Sequence, residues 1–243
     1  MKPRPAPRLA ASLLAALILG ASGAAIAQVP APGADAMTDP SMKREEVIAF
    51  IGVKPGDKVG DIVAGRFVRA LSGAVGPTGK LYAVMPAEVV KAHPEVVPML
   101  KAGESAPGSN IVVSTPPVNA MGLAANSLDA VFIRQNYHDL YDKFMGPADV
   151  PGFNRQVYAA LKPGGVYVIL DHTARPGAPL SVTETLHRID IAQVKKDVLA
   201  AGFKLDGESK AVANAADDHT KMVFDPAIRG KTDQFLLRFR KPK

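Results

Sequence analysis

Three short stretches of this 243-residue chain collect side chains able to move protons or hold a charged ligand. "NYHDLY" (Asn136 to Tyr141) sets His138 beside Asp139. Imidazole titrates near neutrality and a neighbouring carboxylate fixes its tautomer, so the pair has the parts of a general base and its orienting acid. Successive residues of an extended chain point opposite ways, so contact between the two depends on the local backbone. The alternative is a helix-start Asp139 next to a packed His138. "GVYVILDH" (Gly165 to His172) ends on a second acid and imidazole, Asp171-His172. "GDIVAGRF" (Gly60 to Phe67) is expected to be a buried strand through Asp61, a turn at Gly65 and a helix from Arg66-Phe67. That junction is the usual cradle of a nucleotide-like ligand. His138, His172, Asp61 and Asp171 are also groups that a metal could use. Their spacing holds no His-x-x-x-His pair and no calcium-loop pattern, so no metal site is assigned.

Alternating elements position these groups. An amphipathic segment, Ser41 to Val53, with Ser41 as its cap, leads into the strand around Asp61. β-branched runs follow at 80–86, 110–116, 128–135, 165–172, 203–212 and 234–241, with helix-like segments at 67–74, 87–100, 151–161 and 188–201 between most of them. Strands alternating with helices predict an α/β fold whose mostly parallel sheet is covered on both faces. The last strand follows a long irregular stretch, which fits an antiparallel return. Ligands of such a sheet sit beyond the carboxyl ends of the strands, near the point where strand order reverses. Asp61, Met85-Pro86, Thr115, Asn136 to Asp139 and Asp171-His172 are those ends.

The amino terminus is different in kind. Lys2, Arg4 and Arg8 precede an apolar run, and Ala25-Ile26-Ala27 has the small-x-small form cut by signal peptidase. Residues 1–27 are expected to be a removable signal peptide, 28–39 a flexible lead-in rich in Pro, Ala and Gly, and 40–243 one domain in the periplasm or outside the cell. Without Lys2, Arg4 and Arg8 the formal charge of +6 falls to about +3, too small a bias to imply nucleic acid. No cysteine is present, which excludes disulfides, thiolate metal sites and a lipidated cysteine.

With "AVGPTGKLYAVMPAE" (Ala74 to Glu88), "NYHDLY", "LKPGGVYVILDH" (Leu161 to His172), "HRID" (His187 to Asp190), "AAGFKL" and "DDHTKMVFDPAIRGKTDQF" (Asp217 to Phe235), the chain resembles class I S-adenosylmethionine-dependent methyltransferases. In particular it resembles a family of exported predicted methyltransferases, over about Lys43 to Pro242. The resemblance implies a Rossmann-like fold with a seven-stranded sheet and an antiparallel last strand. It implies S-adenosylmethionine as cofactor, held by Asp61, Gly65, Arg66, Glu88 and Asn136. It further implies a small-molecule acceptor served by His138, Asp139 and His172.

Two departures bear on the cofactor. Such enzymes carry acidic-x-Gly-x-Gly-x-Gly after the first strand; here Val63 stands at the first Gly, and Arg66-Phe67 arrive two positions early. Side chains in so short a turn are expected to crowd the ligand, with Arg66 available to pair with a carboxylate. The acid that usually ends the second strand is replaced by Met85-Pro86, leaving Glu88 to hold the ribose or to stabilise a helix start. A non-catalytic binding protein with a decayed cofactor loop is therefore the alternative. His219 and Arg229, in the long stretch before the last strand, are expected to help close the pocket.

Overall fold

The computed structural model describes residues 42–146 and 148–243. The expected signal peptide, lead-in and Ser41 cap lie outside the described residues.

A single seven-stranded sheet runs in the order β3-β2-β1-β4-β5-β7-β6. The strands are β1 (Lys58–Ile62), β2 (Lys80–Val84), β3 (Ile111–Ser114), β4 (Leu128–Arg134), β5 (Leu161–His172), β6 (Lys204–Ser209) and β7 (Gln234–Arg240). Strands β1 to β5 are parallel, and β7 is antiparallel to both β5 and β6. This is the sheet expected from the alternating pattern, including the antiparallel return. Strand order reverses between β1 and β4, the point beyond whose carboxyl ends sheets of this kind place their ligands.

Seven helices are found among the described residues: α1 (Arg44–Ile51), α2 (Val68–Val75), α3 (Ala87–Ala92), α4 (Val96–Glu104), α5 (Val150–Ala160), α6 (Val182–Leu186) and α7 (Ile191–Ala200). The segment 87–100, expected as one helix, is two. Pro94 lacks an N–H and disfavours helical backbone at His93, whose φ of −136° ends α3. Helix α6, too short to show a periodic stripe, was not expected. Strand β5 begins at Leu161, earlier than the apolar run alone indicates. Leu161 pairs with Leu128, and the register then shifts across "KPGG" before Val166 meets Ala130.

Alternation along the strands divides the core in two. Ile62, Val131, Ile133, Tyr167 and Ile169 pack on one side, against α5 and α7 residues such as Phe153, Val157 and Val194. Val59, Phe132, Val168 and Leu170 pack on the other, against Val47, Phe67 and Leu71 of the α1–α2 side. By the same alternation, Asp171 belongs to the Tyr167 and Ile169 side, and His172 to the Val168 and Leu170 side.

Close packing where α2 turns into β2 depends on Gly79. A Cβ there would lie 2.5 Å from the Val75 carbonyl oxygen and 2.7 Å from that of Asp57. Both contacts are backbone, so no side-chain rotation relieves them. Gly79→Ala is expected to cost about 2–3 kcal/mol in urea unfolding, as overpacking does, whereas Gly73→Ala, with nothing within 4 Å of the added Cβ, is expected to be neutral or stabilising.

Candidate functional site

The chain leaving β4 builds most of the site. Gln135 takes a left-handed φ of 56°, and a 3₁₀ turn then covers His138–Tyr141. Helical backbone, rather than an extended one, turns adjacent side chains toward one another, and His138 Nε2 lies 3.1 Å from Asp139 Oδ1. Both residues are buried. The turn is anchored from β5. Asp171, fully buried, accepts the His138 backbone N–H at 2.8 Å on Oδ2. Its Oδ1 lies 2.8 Å from His138 Nδ1 and accepts the His172 backbone N–H at 2.7 Å.

Burial opposes charge on His138, but Asp171 and Asp139 outweigh it and hold its pKa well above the ordinary value. The Asp139 carboxyl is held below its usual range: burial works against this, and the His138 charge and the hydrogen bonds from His138 and Asn136 prevail. Asn136 thus serves Asp139, donating Nδ2–H to Oδ2 at 2.6 Å.

Two residues that the sequence did not single out complete the group. His187, at the end of α6 with φ 53°, brings Nδ1 within 3.4 Å of His138 Nε2. Asp142, one residue past the 3₁₀ turn, is buried; its Oδ2 lies 4.0 Å from His187 Nδ1, and its Oδ1 has no hydrogen-bond partner. The available signals were slight: "HRID" for His187, and for Asp142 its place one turn beyond His138.

His172 stands apart from this group. Its ring centroid is 6.3 Å from that of His138, and its Nδ1 is 2.9 Å from the Thr232 hydroxyl. Burial, followed by the His138, Arg134 and Arg188 charges, pushes its pKa well below the ordinary value, which favours the neutral ring.

Asp61 sits near the carboxyl end of β1, beside β4. It pairs with Phe132, which pairs with Val168, so Asp171 is three residues further along β5, or roughly 10 Å at about 3.3 Å per residue. Asp61 is buried, and its Oδ2 has no partner. Burial raises its pKa from 3.8 to about 7, against the opposing effects of the Gly65 N–H and the Arg134 charge. The acid therefore holds its own turn together through Gly65.

The turn after β1 is built from Val63 to Phe67. Val63 adopts the left-handed φ of 54° that a glycine would, and its side chain packs against the core. A Cβ at Gly65 would meet the Val63 carbonyl oxygen at 3.8 Å, an ordinary van der Waals contact. Arg66, half-buried, precedes the α2 N-cap Phe67. Glu88 lies in the first turn of α3, and its Oε2 accepts the Val118 N–H at 3.0 Å, tying the segment after β3 to α3.

The stretch before β7 reaches the site through Phe224, whose ring centroid is 5.2 Å from that of His187; the Arg229 guanidinium stacks 6.0 Å from the Phe224 ring. His219 instead pairs with Asp233 at 2.9 Å. The fully buried Arg188 holds the stretch down, bonding the Lys221 and Thr173 carbonyls and pairing with Asp217 at 2.8 Å.

Two consequences of the β1 turn are measurable. Because the Asp61 pKa is raised on folding, its stabilising contribution is complete below about pH 3.8 and is lost as pH rises through about 7. Asp61→Asn is therefore expected to unfold at higher denaturant than the wild type at about pH 8, by up to about 4 kcal/mol, with the gap closing toward pH 4. Val63→Gly removes a β-branched residue from left-handed backbone, a strain of about 1–2 kcal/mol, and also removes its core contacts. Thermal melts of Val63→Gly and Val63→Ala separate the two: only the glycine recovers the strain, so it is expected to be the more stable despite being smaller.

No protein-family model matches the sequence, and no curated protein matches it. Solved structures do. A SAM-dependent methyltransferase from Aquifex aeolicus superposes with a TM-score of 0.56 at 22% identity, covering 84% of this chain and 95% of that one. Phosphoethanolamine N-methyltransferase 2 of Haemonchus contortus, in complex with S-adenosyl-L-methionine, gives 0.58 at 15% identity over 83% of this chain and 53% of that one. The cyclase SpnF gives 0.55 at 16% identity over 83% and 80%. The chain thus has the Rossmann-like methyltransferase fold, on which more than one chemistry is built.

Proposed function

We propose that the protein is an S-adenosylmethionine-dependent methyltransferase acting on a small acceptor, and that it is exported. The observation that carries the reading is the buried, unpartnered Oδ2 of Asp61 where strand order reverses. S-adenosylmethionine presents an ammonium group and a sulfonium. A cation placed beside Asp61 supplies the missing partner and lowers the cost of keeping that carboxylate charged. Gly65 carries no side chain between the ligand and the turn backbone, and Arg66, the next residue and only half-buried, is assigned to its carboxylate. Glu88, with one oxygen committed to Val118, is assigned to the ribose through the other.

Methyl transfer asks the protein mainly to hold the acceptor in line with the sulfonium. Where the acceptor loses a proton, the base must begin unprotonated. His172 satisfies this and His138, charged between two carboxylates, does not. The proton is therefore assigned to His172, with the Thr232 hydroxyl orienting its ring.

Calorimetric titration with S-adenosylmethionine and S-adenosylhomocysteine tests the reading. Micromolar binding is expected, weakened about 10- to 100-fold in Asp61→Asn, the worth of one charge-assisted hydrogen bond. Absence of binding by the wild type would favour the non-catalytic alternative, in which the turn after β1 is a remnant.

A further inference from the structure

We propose that His138, Asp139, Asp142 and His187 bind one divalent first-row transition-metal ion, with zinc the best match. This goes beyond the cofactor reading and does not depend on it. The four residues are buried, and each offers a ligand atom within 4.8 Å of all the others.

The first argument is spacing. Zinc takes imidazole nitrogens and carboxylate oxygens at about 2.0–2.1 Å in a tetrahedron, so its ligand atoms stand roughly 3.3 Å from one another. His138 Nε2 is 3.4 Å from His187 Nδ1 and 3.1 Å from Asp139 Oδ1. Asp142 Oδ2, 4.0 Å from His187 Nδ1, closes the set with a small rotation of its carboxylate.

The second argument is an unsatisfied group. The Asp142 side chain is only 3% exposed, yet its Oδ1 has no hydrogen-bond partner. A buried carboxylate left this way is costly unless it neutralises or finds a cation. No Lys or Arg side chain is paired with Asp139 or Asp142 among the described residues, and both face imidazole nitrogens. Together with Asp171, three carboxylates converge on two histidines, an excess of negative charge that suits a divalent ion.

The third is orientation from outside the ligand set. Asp171 Oδ1 engages His138 Nδ1, which leaves Nε2 directed at the site; Asn136 holds Asp139 Oδ2, leaving Oδ1 for the ion. Metal-bound histidines commonly engage a carboxylate through the other ring nitrogen in this manner. His187 is held in left-handed backbone and by the Phe224 ring, so its ring direction is also set. Binding displaces the Nε2 proton of His138 to solvent. Two nitrogen and two oxygen ligands favour zinc, iron or manganese over magnesium or calcium.

The test uses the full chain purified without a polyhistidine tag, stripped with a chelator, freed of it, and titrated calorimetrically with zinc chloride. One equivalent is expected to bind with submicromolar Kd and to raise the melting temperature. Cobalt(II) used as an optical probe is expected to give the intense visible bands of a tetrahedral site. Asp142→Asn and His187→Gln are each expected to weaken zinc binding about 100-fold or more. Asp142→Asn removes a buried charge whose Oδ1 has no hydrogen-bond partner, so its metal-free melting temperature is expected to match or exceed that of the wild type, which separates lost ligation from lost folding. His93→Gln, whose ring pairs with Glu95 on another element, is the control and is expected to bind zinc normally. Failure of the wild type to bind zinc saturably, or undiminished binding by the Asp142→Asn/His187→Gln double variant, would overturn the proposal. Neither result touches the Asp61 cofactor test, which reads a different ligand on different residues.

Discussion

The carboxylate of Asp171 is the constraint on which the rest of the site depends. A fully buried carboxylate is tolerated only if its lone pairs are used, and Asp171 engages two backbone N–H groups and one imidazole nitrogen. Those contacts join the end of β5 to the turn after β4. They fix where the 3₁₀ turn begins and set the ring of His138. Asp139 and Asp142 then follow from the turn itself. The Leu170 carbonyl also accepts the Gln135 N–H, but it is Asp171 that hydrogen-bonds the His138 ring from β5.

The carboxyl end of β1 is organised by a carboxylate in the opposite condition. Asp61 is also buried, but one of its oxygens has no partner and its pKa rises to about 7. Asp171 is satisfied from within the fold, whereas Asp61 is incompletely satisfied and faces the place where this kind of sheet binds ligands. Backbone strain follows the same division. Val63, Gln135 and His187 all hold left-handed backbone next to the strand ends or the histidine group. Such strain persists only where surrounding contacts over-determine it, and it tends to collect at functional sites.

Much of the sheet was legible because each strand is a short β-branched run bounded by turn residues, and burial on both faces makes such runs continuous. The break at Pro94 was also written in the sequence, although the longer apolar pattern over 87–100 obscured it. Helix α6 had too few residues to carry a period. At the site, Asp61, His138, Asp139, Asp171 and His172 could be placed at strand ends from the pattern alone. Asn136 and Glu88, expected to hold the cofactor, each have a side chain engaged by the protein itself, with Asp139 and with the Val118 N–H.

By itself, the sequence determined the alternation of strands and helices, the identity of the strand ends and the presence of one glycine, Gly65, in the turn after β1. These are local properties, set by side-chain type and by neighbours a few residues away. Only the tertiary structure decided that Val63 takes left-handed backbone with its side chain packed against the core. Only the tertiary structure brought His187 to His138, 49 residues away along the chain. That approach depends on α6 ending in left-handed backbone, on Arg188 fastening the neighbouring stretch and on Asp171 orienting the facing ring. No short-range pattern encodes a meeting of three elements distant in sequence.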